Sequence, residues 1–264
     1  MKRTVLTATA LTLASAAHAS VLTFVIDGIG NFGAIPQDYG DRVTSADDGI
    51  FHYEIGSEGP TPNVIATYPT DGGIDPSYWS TGYGDLVDVY FEDADGNGSG
   101  EVILSADYGY EVVLYSFEMA AYSSAFSSDP TIDSVRVMGC SPAPLFEQID
   151  AVISETTHTT YDFVSSPLQA REIRIQFESG VLGGLSDDIG LDTIRFGQVK
   201  VAAEEMPCPS DIAVPLCVLD VFDVFGYLDL FAAGDEFADF TGDGTLDIFD
   251  VFAFLEEFNA GCDG

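Results

Sequence analysis

Between Leu219 and Gly261 the chain repeats itself. Leu219-Asp220-Val221-Phe222-Asp223-Val224-Phe225 returns as Leu246-Asp247-Ile248-Phe249-Asp250-Val251-Phe252. The offset of 27 residues continues through Leu228 and Leu255, Phe231 and Phe258, and Gly234 and Gly261. An internal repeat means one supersecondary unit used twice, each copy covering the apolar face of the other. Val224, Tyr227, Leu228 and Phe231 have helical spacing, as do Val251, Phe254, Leu255 and Phe258. Gly234 and Gly261 stand where a helix stop belongs. The sequence therefore predicts two loop–helix units, from residue 208 to residue 264.

The second loop runs Asp239-Phe240-Thr241-Gly242-Asp243-Gly244-Thr245-Leu246-Asp247-Ile248-Phe249-Asp250. Oxygen-bearing side chains stand at its first, third, fifth, ninth and twelfth positions: Asp239, Thr241, Asp243, Asp247 and Asp250. Thr245 offers a backbone carbonyl at the seventh, Gly244 permits a sharp turn at the sixth, and Leu246 is free to face a core. Such a ring of hard oxygens at this spacing is what Ca2+ requires. The bland alternative is an acidic helix cap beside a glycine turn. The equivalent first loop, residues 212–223, keeps only Asp220 and Asp223. Ile212, Val214 and Leu216 stand where oxygens belong, Cys217 replaces the turn glycine, and Asp211 is one residue out of register. This half is expected to bind calcium weakly or not at all.

Two loop–helix repeats with Asp at the twelfth position resemble a dockerin. More narrowly, they resemble the Cys-bounded "GC-type" dockerins of planctomycete exported proteins, opened by Cys-Pro and closed by Gly-Cys, as Cys208-Pro209 and Gly261-Cys262 are here. The resemblance covers about a fifth of the chain. It implies attachment to a larger extracellular assembly or cell surface, through a cohesin-like partner. Two departures stand against it: the first loop is degenerate, and the partner-reading tenth and eleventh positions are apolar (Val221-Phe222 and Ile248-Phe249). The four cysteines, Cys140, Cys208, Cys217 and Cys262, allow three full pairings. Cys208 and Cys262 flank the repeat and are expected to pair, with Cys208–Cys217 as the competitor. Cys140 and Cys217 pair across the two parts of the chain or stay reduced.

Residues 20–199 read differently. Short runs rich in β-branched and aromatic residues lie at 21–26, 86–91, 101–106, 111–117, 134–138, 172–177 and 191–196, most of them bounded by Gly, Asp, Asn or Pro. Glu172-Ile173-Arg174-Ile175-Gln176-Phe177 alternates strictly, the mark of a half-buried strand. The expected fold is mainly β, an antiparallel jelly-roll-like sandwich, joined by an acidic linker at 200–207 to the small helical module. Gly190-Leu191-Asp192-Thr193-Ile194-Arg195-Phe196 is similar to the last strand of lectin-like and carbohydrate-binding jelly rolls. Tyr78, Trp79 and Tyr83 are candidates for a sugar-stacking platform, or else plug the core. Asp187, Asp188 and Asp192 are candidates for a structural calcium. Asp93 to Gly98 reads as a solvated hairpin turn rather than a calcium loop, because Leu104 stands where its twelfth ligand belongs.

Lys2-Arg3, the apolar stretch from Val5 to Ala17 and the small-x-small Ala17-His18-Ala19 form a secretory signal peptide, residues 1–19, with cleavage expected before Ser20. No later segment is apolar for long enough to span a bilayer. An exported chain permits disulfides. The net charge is −36, with eight Lys and Arg in all and none after Lys200. Such a surface repels nucleic acid and anionic lipid. Two histidines, His52 and His158, follow the leader, and neither has a partner at zinc spacing. There is no serine elbow, and the carboxylates are too many for one pair to stand out as a glycosidase couple. The expectation is a secreted, non-catalytic protein whose sandwich binds a glycan. The rivals are a polysaccharide-degrading enzyme carried by the module and a structural matrix protein.

Overall fold

The computed structural model describes residues 18–56, 59–70, 74–93, 98–202 and 206–262. Two antiparallel sheets face each other. The larger contains β1 (His18–Ile26), β2 (Gly33–Ala34), β3 (Asp47–Asp48), β4 (Phe51–Ile55), β6 (Pro76–Tyr83), β7 (Leu86–Glu92), β9 (Tyr110–Ala121), β12 (Thr159–Asp162), β13 (Leu168–Ala170) and β15 (Ile189–Lys200). The smaller runs β11 (Phe146–Val152), β10 (Thr131–Met138), β14 (Glu172–Glu178), β8 (Ser99–Ala106) and β5 (Val64–Thr67). One apolar core takes side chains from both: Leu22, Phe24 and Phe196 from the larger, Leu104, Val135 and Phe177 from the smaller. The alternation at 172–177 is realised as expected, with Ile173, Ile175 and Phe177 buried.

The last strand of the sandwich is its centre. β15 pairs with β9 along one edge and, on the other, with β7 and then β1. The hand-over falls at Asp192-Thr193, where the register shifts and Thr193 takes φ 50°. Residues 1–17, most of the expected leader, lie outside the described residues. β1 opens two residues before the expected cleavage point, with Ala19 buried opposite Gly197.

The Asp93–Gly98 segment, read from the sequence as a turn, lies between β7 of the larger sheet and β8 of the smaller. Residues 94–97 themselves lie outside the described residues.

Two helices of equal length follow, α1 (Val221–Ala233) and α2 (Ile248–Ala260). Each opens on an aspartate N-cap, Asp220 or Asp247. Each has an aspartate three residues on, Asp223 or Asp250, whose carboxylate accepts the N-cap backbone N–H. These reciprocal boxes satisfy amides that a helix start leaves bare. Tyr227 and Phe254, repeat-equivalent residues, stack face to face with ring centroids 4.1 Å apart and form the middle of the small core. Leu228 and Leu255, expected on the inner faces, point outward and are about two-fifths exposed (44% and 42%). Leu230 and Phe240 pack against the core with the aromatic pair.

Two disulfides close the arrangement. Cys208–Cys262 joins the ends of the repeat, and Cys140–Cys217 ties the sandwich to the first loop, with Cα–Cα distances of 5.1 and 4.9 Å. In the unfolded chain they close loops of 54 and 77 residues, which lowers its entropy and stabilises the fold by about 4 kcal/mol each in the chain-entropy account.

Candidate functional site

The second loop is built around Asp250. This side chain is fully buried, and Oδ1 accepts from the Thr241 backbone N–H (3.0 Å) and hydroxyl (2.9 Å), while Oδ2 accepts from the Asp247 N–H (2.8 Å). Burial alone would raise its pKa; these hydrogen bonds outweigh that and hold it below the ordinary carboxylate range. Asp239 closes the loop from the other end, accepting from Gly244 N–H at 2.7 Å and from Asp243 N–H at 3.2 Å. The Thr241 hydroxyl lies 3.3 Å from Asp239 Oδ1, so Asp239, Thr241 and Asp250 meet. Gly242 and Gly244 both take positive φ (68° and 80°), the conformation that turns successive amides inward without a Cβ clash.

Asp243 and Asp247 are not drawn into that group. Asp243 Oδ1 accepts from Thr245 N–H and Asp247 Oδ1 from Phe249 N–H, each at 2.8 Å. Among the described residues, one trio of Asp, Glu, His or Cys groups lies close enough to share an ion, Cys140, Asp211 and Cys217, and two of its members form a disulfide. The donor set of the second loop nevertheless has the chemistry of a hard-cation site, since every candidate ligand is an oxygen.

The first loop keeps the same frame with one residue more. Asp211 Oδ2 accepts from Cys217 N–H at 2.8 Å, the counterpart of Asp239 and Gly244. Cys217 takes φ 67° although it is not glycine. Asp223 Oδ1 accepts from Ile212 and Ala213 N–H, and its Oδ2 from Asp220 N–H, all at 2.8 Å. The shift of Asp211 by one residue is thus an insertion that the loop absorbs.

The sandwich grips the module at the start of both copies. Tyr108 donates its hydroxyl to the Pro209 carbonyl at 2.6 Å, and its ring meets Phe237 edge-on at 5.5 Å. Lys200 Nζ lies 2.6 Å from Glu236 and over the Phe237 ring. Gly109 touches that ring so closely that a Cβ there would lie 2.0 Å from it. The linker expected at 200–207 is held at both ends, with Val201 bonded to Gly109 and Met206 buried; residues 203–205 lie outside the described residues.

The aromatic candidates on the sandwich separate. Tyr78 and Tyr83 are buried (7% and 2% exposed), so no exposed three-ring platform exists. Tyr78 enters the main core and reaches Asp88 with its hydroxyl, while Tyr83 joins a small outer cluster with Leu86, Val89 and Phe91. Strand alternation places Trp79 on the opposite side of β6 from Tyr78. There it is half-buried and meets Phe32 edge-on at 4.9 Å. Phe32, 60% exposed, is the aromatic side chain the sequence reading missed. It lies in a Gly-rich turn, where nothing in the local pattern marks a ring as exposed.

The proposed Asp187, Asp188 and Asp192 site is not assembled. Asp192 is buried in β15, accepts from the Thr193 N–H, and has Glu118 and Asp88 as its acidic neighbours. Burial, with those two charges added, pushes its pKa up to about 8. Burial and Asp187 push Asp188 up to about 6. His158 is not loose in solvent: it lies 2.9 Å from Asp85 and 3.6 Å from Glu118.

No protein-family model matches the chain, and no curated protein matches it in sequence. Several solved structures are similar in outline. One is a Stig cyclase, Fisc, from Fischerella sp. TAU (13% identity, TM-score 0.33, covering 69% of this chain and 99% of that one). Another is a family 32 carbohydrate-binding module of C. perfringens NanJ in complex with galactose (15%, TM-score 0.27, covering 52% and 93%). A third is a Ruminococcus gnavus GH29 fucosidase (15%, TM-score 0.28, covering 55% of this chain and 26% of the enzyme). The chain is mainly β, with antiparallel sheets. No helix among the described residues is long and apolar enough to cross a membrane.

Proposed function

We propose that the chain is an exported, non-catalytic protein in which a jelly-roll-like sandwich carries a glycan-binding surface and the C-terminal repeat is a calcium-binding, dockerin-like docking module. The duplication carries the reading. Two 13-residue helices share the same aspartate capping box, and the second is preceded by a loop whose candidate ligands are all oxygen. Calcium would be held by Asp239, Thr241, Asp243, Asp247 and Asp250 with the Thr245 carbonyl, and its chemistry is the neutralisation of four carboxylates that otherwise repel. Residues 201–264 hold fifteen Asp and Glu and no Lys or Arg, which makes that neutralisation matter.

The docking half is supported by a surface that obeys the repeat. Phe222 and Phe249, Phe225 and Phe252, and Leu228 and Leu255 are equivalent pairs, and all six are exposed. A large apolar surface on an acidic module marks a protein contact, here with a cohesin-like or cell-surface partner. For the sandwich, Phe32 and Trp79 offer apolar ring surface of the kind that stacks on sugar C–H faces. Calorimetry with calcium on the whole oxidised chain tests the first half of the reading. One binding event is expected, lost in Asp239→Ala, and no event in the wild type overturns it. A glycan array with Phe32→Ala and Trp79→Ala tests the second; hits that survive both substitutions place the glycan elsewhere.

A further inference from the structure

The degenerate loop of the first repeat is not simply a calcium site that has decayed. We propose that its cation is Arg171, so that a guanidinium from the sandwich stands in for the metal and makes this half of the module a permanent dock for the sandwich itself. The inference rests on reading the two repeats as duplicated cation loops.

The loop frame is intact where it needs no metal ligand. Asp211 and Asp223 occupy the places of Asp239 and Asp250 and hold the corresponding amides. Where oxygen ligands are missing, at Val214 and Leu216, no metal could be completed. Two carboxylates so buried still need a counter-charge (Asp211 is 3% and Asp223 1% exposed). The mature chain has only six basic residues to supply one. Arg171, just before β14, enters the loop with its side chain 9% exposed. Its Nη2 donates to the Ile212 carbonyl at 2.7 Å and its Nη1 stands 4.0 Å from Asp211 Oδ1. Tyr108 covers the guanidinium, with its ring centroid 5.1 Å away. Nε and Nη1 of Arg171 and Oδ1 of Asp211 make no hydrogen bond, so the attraction is that of two enclosed charges rather than of a fork. Asp223 adds to the field at the same guanidinium. The turn residue Cys217 is bonded to Cys140, and Tyr108 holds Pro209, so the sandwich holds the loop from three sides. An arginine remains charged even where burial opposes it, so this cation cannot be removed by a chelator.

The test is a double-mutant cycle in the full, oxidised chain, with Arg171→Met, Asp211→Asn and both together. Amide hydrogen exchange is read over 210–220, over 239–250 and over the sandwich strands. Breaking a buried pair leaves an uncompensated charge, so Arg171→Met should cost about a hundredfold or more in protection at 210–220, with β1 and β15 unchanged. Asp211→Asn in that background should restore most of the loss, because the orphaned charge is gone while an amide oxygen remains for Cys217 N–H. Should Arg171→Met prevent folding, Arg171→Lys, which keeps the cation, should fold and retain protection at 210–220, and an unfolded Arg171→Lys beside a folded double variant would also overturn the proposal. A double variant no better than Arg171→Met overturns the proposal, as it would show packing rather than charge. Two equivalent calcium ions per wild-type chain overturn it as well, since the guanidinium and a metal cannot share the loop. No calcium at all would defeat the reading of the second loop and leave the cycle to decide on Arg171.

Discussion

The two halves of the C-terminal module begin from one design and end with different dependencies. Both set a buried aspartate under a loop and cap a 13-residue helix with it. Tyr227 and Phe254 contribute equally to the shared core. The first half is crosslinked to the sandwich, covered by Tyr108 and supplied with a guanidinium. The second half meets the sandwich just before its loop, where Tyr108 and Lys200 reach Phe237 and Glu236, and the loop itself is exposed at Gly242, Asp243 and Gly244. If Arg171 is the counter-charge of the first loop, a duplicated unit can dispense with a metal where a neighbouring domain supplies both charge and anchorage.

The harshest test of this contrast removes the buried aspartates. Asp223→Ala and Asp250→Ala each leave three donors without their acceptor. Each should lose about 4 kcal/mol of stability, since hydrogen bonds to a charged group are the costly ones to break. Helical circular dichroism during thermal unfolding of the whole chain gives the number. Added calcium should still raise the transition of Asp223→Ala but not that of Asp250→Ala. Equal calcium responses in the two variants would erase the distinction between the halves.

Chelation comes next. Metal that binds only the folded loop stabilises it by about 2.7 kcal/mol at a hundredfold excess over its Kd. Hydrogen exchange in excess chelator should therefore show faster exchange at 239–250, with 210–220 and the sandwich strands unmoved. Loss of protection in β15 as well would mean that the sandwich carries a calcium of its own.

A smaller effect is expected at the junction. Gly109 has φ 82°, and an added Cβ meets the Phe237 ring. Gly109→Ala combines a disfavoured backbone with a clash, at a cost of about 2 kcal/mol. Limited proteolysis should then release cuts near residues 201–207 while the second loop keeps its affinity for calcium. A variant as resistant as the wild type would show that the Phe237 contact does not hold the junction.

How legible this was depended on the range of the interaction. The helices, their caps and the Cys208–Cys262 closure follow from signals within the repeat itself. The alternation at 172–177 gave β14 for the same reason. Arg171 was invisible because nothing near it in sequence refers to Asp211; only the fold brings them together. Cys140 stayed unassigned for the same reason. Tyr78 and Trp79 were adjacent letters that strand alternation sent to opposite sides. The cluster of Asp187, Asp188 and Asp192 failed in the same manner: Asp192 belongs to a strand whose neighbours, Glu118 and Asp88, come from β9 and β7.

Asp192 also supplies the counter-case to Asp250. Asp250 is surrounded by donors and is held below the ordinary range; Asp192, with Thr193 as its partner, is pushed up to about 8. In the unfolded chain an aspartate releases its proton near pH 3.9. Between about pH 4 and pH 8 the folded state thus keeps a proton that the unfolded state has lost, and stability must fall as pH rises. Above about pH 8 both states are ionised and this contribution to the slope ends. One full proton of difference is worth about 1.4 kcal/mol per pH unit. Asp192→Asn preserves an oxygen for the Thr193 N–H and removes the titration. Denaturant unfolding at pH 5.5 and 6.5 should therefore show the wild type losing up to about 1.4 kcal/mol more than the variant over that unit. Parallel pH profiles would mean that Asp192 is ionised in the fold. Burial with Thr193 as its donor would then not be what separates it from Asp250.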